Sequence, residues 1–219
     1  NRPLARIIQP GQIYATLSEK YAAVVARVEV LHLRRIPVLI GTRTVAVSEH
    51  LSRLLGQRDI PHQVLNAKQD AEEAMIVARA GQPGRVTIAT NMAGRGTDII
   101  LEPGVAERGG LHVLMTERHE SGRVDRQLAG RCGRQGDPGC CEIFLSLEDP
   151  LLREGSPGWR GRAARWLEKM QVDLWKSMGK KSITRAQRKI ERVHAGVRKR
   201  LLRYDESRSD SLSFSGRSE

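Results

Sequence analysis

Three cysteines in 219 residues, Cys132, Cys140 and Cys141, give no disulfide framework. Two are adjacent and no C-x-x-C pair is present, so the spacing of a zinc site is missing and no metal ligand is expected. They read as small, partly buried side chains in a reducing cytosol. No apolar run approaches the ~20 residues that span a bilayer. No G-x-x-x-x-G-K-[ST] phosphate loop occurs, and no acidic magnesium-binding motif is visible, which excludes a self-sufficient phosphate-loop nucleotidase. The near miss Gly179-Lys180-Lys181-Ser182 fails twice: a second lysine follows Gly-Lys, and Leu174 stands where the first glycine belongs. Gly94-x-Gly96 lacks the third glycine of a dinucleotide fingerprint. The initial methionine is also missing. A chain opening on Asn1 sets the expectation of a piece of something longer.

What is present is an uneven charge. Residues 153–203 carry 16 Lys and Arg against 4 Asp and Glu, while the rest holds 21 of each. The first 150 or so residues are therefore no basic nucleic-acid platform. The excess sits on a C-terminal extension, where a solvated face competes with an anionic lipid surface or a nucleic acid.

Leu17, Tyr21, Val24, Val25, Val28 and Leu31 recur at helical spacing within residues 13–36, with Ser18-Glu19 suiting a helix start and Pro37 a stop. Val38-Leu39-Ile40 reads as a buried strand, Ala46 to Leu55 as a helix, His62 to Leu65 as a strand and Ala71 to Ala80 as a helix. Val86 to Thr90 is a strand, Leu111 to Met115 another, Ser121 to about Cys132 a helix and Glu142 to Ser146 a last strand. Strands alternating with helices predict an α/β domain on a mainly parallel sheet, with working loops beyond the carboxyl ends of Ile40, Thr90 and Met115. After Pro150 a glycine-rich linker leads to an apolar stripe, Ala163, Trp166, Leu167, Met170, Leu174, Trp175 and Met178. A basic helix is expected from about Thr184 to Tyr204, and a disordered serine-rich tail from Ser207.

Two motifs carry chemistry. TNMAGRGTDI (90–99) directly follows a strand. Gly94 and Gly96 permit close backbone approach to a ligand, Arg95 can reach a phosphate, and Asp98 can accept from a ribose hydroxyl. A tight turn with a solvated arginine is the plain alternative. The second is QLAGRCGRQGD (127–137), where Arg131 and Arg134 lie three apart, on one side of a helix end. A planar, permanently charged guanidinium suits phosphate, and two at a domain edge fit an arginine finger. A surface salt-bridge array is the plain alternative there.

In this order the motifs resemble motifs V and VI of superfamily-2 helicase-like motors. TNMAGRGTDI, GGLHVLMTERHES (109–121) and GRCGRQGDPG (130–139) closely resemble the SecA family of preprotein translocases, as do PVLIGT (37–42), VLNAK (64–68) and the opening Asn1-Arg2-Pro3. The resemblance covers residues 1–153 and resumes over 186–205. It implies a RecA-like second motor domain over 1–153, a divergent linker and amphipathic helix over 154–183, and the start of a helical scaffold over 184–206, ahead of the 207–219 tail. By position, Gly94, Arg95, Gly96 and Asp98 would line a nucleotide cleft. Gln127 would help couple the domains, and Arg131 and Arg134 would approach the phosphates. ATP and Mg would be held mainly by a preceding phosphate-loop domain in cis, so this chain alone is expected to be inactive. An unfolded preprotein and a SecYEG-type channel would be the partners, at the cytoplasmic face of a bacterial plasma membrane. Nucleic acid is not an expected partner.

Ala129 stands where the family has a basic residue and Cys132 where it has a small one. Residues 154–182 diverge. The Trp166/Trp175 helix suits anionic lipid or packing on the motor domain, and packing is the preferred reading. Two other functions stay open at this point: a nucleic-acid helicase of the same superfamily, and a non-catalytic module derived from the motor.

Overall fold

A computed structural model of the chain describes residues 4–65, 70–90, 98–155, 158, 163 and 172–215. Among them, seven strands form one sheet in the order β1-β7-β6-β3-β5-β4, with β2 also on β7. The strands are β1 (Arg6–Ile8), β2 (Gln12–Tyr14), β3 (Val38–Thr42), β4 (Gln63–Leu65), β5 (Val86–Thr90), β6 (Leu111–Met115) and β7 (Gly139–Ser146). Every pairing between them is parallel. The helices are α1 (Leu17–Leu33), α2 (Val45–Gly56), α3 (Asp70–Arg79), α4 (Gly122–Ala129), α5 (Pro150–Gly155) and α6 (Val172–Ser215), with a 3-10 turn at Ala106–Arg108.

Successive strand residues face opposite sides, so each strand feeds two cores. Val38, Ile40, Val86, Ile88, Leu114 and Phe144 pack under α1 and α2. Leu39, Ala89, Val113, Met115, Ile143 and Leu145 pack on the other face, with Val77, Ala129, Leu151 and Trp175 from the covering helices. The α1 stripe is as the spacing predicts, with Tyr21, Val24, Val25, Val28 and Leu31 buried. The helix begins later than expected, however, because residues 12–14 are drawn onto the β7 edge as a strand. Thr16 caps it by accepting from the Glu19 N–H at 3.2 Å, while Glu19 accepts from the Ala15 N–H at 3.1 Å, a close variant of the capping box. Lys20 also falls inside the buried surface. Its ammonium meets Asp149 at 2.6 Å, with both side chains almost fully enclosed.

α6 is one continuous helix where two segments with a break near residue 183 were expected. It starts at Val172 and runs through residues 207–215 as well. Gly179 lets the helix seat on the sheet edge. A Cβ there would come 2.9 Å from Leu147 and 3.3 Å from Ile13. Gly155 in α5 does the same for Ala186, whose Cβ would be 2.6 Å away. Trp175 and Ala163 lie in the core, which is the packing role preferred for that stripe; Trp166, Leu167 and Met170 lie outside the described residues.

Candidate functional site

α4 connects two parallel neighbours, β6 and β7, so it must run back against the strand direction. It starts beyond the carboxyl end of β6 and delivers its own C-terminus to the amino end of β7. Arg131 and Arg134 are thereby carried to the end of the sheet opposite the carboxyl-end loops. The two arginines do not share a helical face, because α4 stops at Ala129. Beyond it Gly133 (φ 65°), Gln135 (φ 53°) and Gly136 (φ 88°) are left-handed. Gly133 is required on a second count: a Cβ there would stand 2.5 Å from the Cβ of Arg6. Arg6 in turn donates to the carbonyl of Ala129 at 2.8 Å, placing a cation at the negative end of α4. Leu128 anchors the helix to the sheet over Gly41, where any Cβ would meet its Cδ2 at 2.2 Å.

The two motifs meet at one point. The Arg134 guanidinium donates to Asp98 Oδ1 at 2.6 Å and to the Gly130 carbonyl at 2.7 Å. Gln135 donates to the second Asp98 oxygen at 3.1 Å. The Arg134 hydrogen bond holds the Asp98 carboxyl below its usual range. The pair is partly exposed, 43% and 39%, so both groups remain open to a ligand. Arg131 is half-buried just past the helix, its N–H donating to Leu128 O at 3.0 Å. Gln127 is exposed on α4. Gly94, Arg95 and Gly96 lie outside the described residues. Burial pushes the thiols of Cys132 and Cys141 up to about 11 and about 12, so these are inert packing groups.

The other end of α4 is gripped by α6, a contact that sequence spacing did not reveal. Asp125, 3% exposed, accepts four hydrogen bonds. Oδ1 takes the His119 N–H at 3.0 Å and His119 Nδ1 at 2.8 Å; Oδ2 takes Arg118 at 3.0 Å and Gln187 of α6 at 2.7 Å. Burial pushes its carboxyl up, but His119, Gln187 and Arg118 outweigh that and hold it below the usual range. Gln187 also donates to His119 O at 2.8 Å. One turn further along α6, Glu191 accepts from the Gly122 N–H at 2.5 Å, satisfying an orphan donor in the first turn of α4. Arg43, just past β3, pairs with Glu120 and lies 3.5 Å from Glu154, while His194 of α6 reaches Glu120 at 3.3 Å. The expected carboxyl-end loops after Ile40 and Met115 thus form the seat of α6.

This parallel sheet flanked by helices is a RecA-like fold. Two solved structures share the fold. One is the E. coli DEAD-box protein SrmB, solved with regulator of ribonuclease activity A (TM-score 0.51, 21% identity, 77% of this chain and 94% of that one). The other is domain 2 of the DEAD-box helicase Mss116p, solved with an RNA duplex (TM-score 0.52, 16% identity, 82% and 70%).

Within that class, the family model of the SecA P-loop domain matches residues 3–104 and 102–173, and the chain belongs to the SecA family. It is 48% identical to protein translocase subunit SecA 2 of Bordetella avium over 99% of its length, and 54% identical to the SecA subunit of Chlorobaculum tepidum over 94%. It spans 33% and 20% of those two proteins. Among the described residues no helix is long and apolar enough to cross a membrane.

Proposed function

We propose that the chain is the second half of a SecA-type ATP-driven motor that moves unfolded preproteins through a SecYEG-type channel. The observation that carries this is the Asp98–Arg134 contact, which joins the two nucleotide motifs of a SecA-family chain at one partly exposed point. A phosphate-loop domain in cis holds ATP and Mg. This chain closes over the nucleotide from the opposite side, at the cytoplasmic face of the membrane. Asp98 lines the ribose side of the cleft, together with Gly94, Arg95 and Gly96. Arg134 leaves Asp98 for the transferring phosphoryl group and neutralises its growing charge, with Arg131 beside it and Gln127 at the domain junction. Movement of the arginine end of α4 is passed to its other end, where Asp125 and Gly122 hold α6 through Gln187 and Glu191. α6 is thus the output element of the domain.

The test is ATP hydrolysis by the full-length motor, with preprotein and channel-containing membranes in one arm and single-stranded RNA in the other. Arg134→Ala is expected to lower turnover by about three to five orders of magnitude, the usual worth of a finger. The 219-residue chain alone is expected to be silent. An Arg134→Ala motor with undiminished ATPase refutes the finger, and stimulation by RNA instead of preprotein moves the assignment to a helicase.

A further inference from the structure

On the sheet face opposite α4, at the amino-terminal end of the central strands, lies a second cluster that the motor chemistry does not use. His112 of β6 stands in register with Cys140 of β7, and Glu142 follows two residues on, so all three side chains project to the α1 side. One ligating atom from each lies within 4.8 Å of the others. We propose that His112, Cys140 and Glu142 form a binding site for a divalent metal of the zinc type.

His112 is 9% exposed, and among the described residues its buried Nδ1 makes no well-formed hydrogen bond, the nearest acceptor being Glu142 Oε1 at 3.5 Å. Native proteins rarely keep such a group without a water or an ion to complete it. Glu142 is also enclosed, with a side chain 7% exposed. An imidazole, a thiol and a carboxylate form a borderline-to-soft donor set that selects zinc or cobalt over magnesium and calcium. Bond lengths to zinc place ligating atoms about 3.5 Å apart, so the cluster closes by about 1 Å on binding. Cys140 is the half-buried member and leaves a route to solvent, whereas Cys132 and Cys141 are enclosed. Three protein ligands leave the fourth tetrahedral position to water.

Arg27 of α1 now forks onto Glu142, at 2.7 Å from its terminal nitrogen and 2.9 Å from Nε to Oε1, and 3.1 Å from Nε to Oε2. With His112, it keeps this carboxylate charged in the metal-free state, and it becomes the outer-sphere partner in the bound one. Burial, followed by the charge of Glu142, raises the Cys140 thiol. A bound dication reverses that balance, and the thiol proton passes to solvent as the sulfur–metal bond forms. The ion would tie β6 to β7 beneath α1, clear of the Asp98–Arg134 contact.

The 219-residue chain, stripped with chelator, is titrated with Zn²⁺ by calorimetry and with Co²⁺ by absorbance. One equivalent should bind, with a thiolate-to-cobalt charge-transfer band and release of about one proton. Cys140→Ser and Glu142→Gln should remove the band or weaken binding at least tenfold, while His194→Gln leaves both unchanged. The wild-type spectrum decides the matter even if a variant fails to fold. Absence of the sulfur band, or a Cys140→Ser chain that stays folded by circular dichroism and binds as the wild type does, overturns the proposal.

Discussion

Asp125→Asn probes the joint between α4 and α6. The substitution changes almost no volume but replaces one accepting oxygen with an NH₂ group. With the NH₂ at the Oδ2 position both Gln187 and Arg118 face another donor; at the Oδ1 position the His119 N–H does, and His119 Nδ1 can accept only by changing tautomer. The worst-placed orientation for α6 sets the amide against Gln187 and Arg118. A hydrogen bond to a charged acceptor is worth about 1.5–3 kcal/mol. The Arg118 share is discounted, since its side chain is 31% exposed and water replaces the lost partner. Gln187 is 9% exposed and finds no such relief. The expected loss is therefore about 2–4 kcal/mol, led by the Gln187 contact. With an m-value of about 2 kcal/mol/M, the urea midpoint should fall by about 1–2 M. Native-state hydrogen exchange should locate the change: amides of α6 around Ile183 to Ile190 should lose protection before those of β3 and β5. A midpoint within about 0.2 M of wild type, with unchanged α6 protection, would refute the view that this carboxylate pins the helix.

Gly133→Ala should cost at least about 1–2 kcal/mol from the left-handed backbone alone, and more from the close approach of Arg6; thermal denaturation measures it. Lys20→Met leaves Asp149 enclosed without its counter-charge and should cost about 3–5 kcal/mol in urea unfolding, while the double variant with Asp149→Leu should regain much of it. Asp125, Glu142 and Asp98 all have carboxyls held below their usual range in the folded chain. Their contribution is in place above the unfolded values of about 3.9–4.3 and is lost as pH falls through the lower folded ones. Thermal midpoints should thus hold above about pH 5 and drop below about pH 4, less steeply in Asp125→Asn.

The α1 stripe and the buried runs of β3, β5 and β6 were legible because burial imposes its period on sequence. β1 and β2 were not: three-residue strands have no room to alternate, and they exist only because β7 offers an open edge. The continuity of α6 was not legible, because the seating of Gly179 against Leu147 is a long-range contact that no local pattern shows. At the site, the residue types and order of the two motifs set the expectation of phosphate chemistry, and the Asp98–Arg134 contact brings the two motifs together. Their geometry was less accessible, since helical spacing for Arg131 and Arg134 fails once three left-handed residues follow Ala129. Asp125 and Gln187 lie 62 residues apart, and no local pattern pairs them. His112, Cys140 and Glu142 have no metal-site spacing along the chain, whereas strand register brings them together. Lys20 did leave a signal, a charge four residues before Val24 on a buried stripe.

The edge of β7 also sets an order of events. Arg6 finds the Ala129 carbonyl 123 residues later, and Leu17 meets Glu148 across 131. During synthesis the segment 6–14 therefore emerges long before β7 exists to receive it, carrying Ile7 and Ile8, which stay largely exposed even in the finished fold. Closing so long a loop is entropically slow, and an apolar strand waiting for its edge is open to wrong partners. Pro10, set between the two short strands, denies such partners a backbone donor and limits the length over which they could add. The edge of the sheet thus closes only when β7 receives β1 and β2.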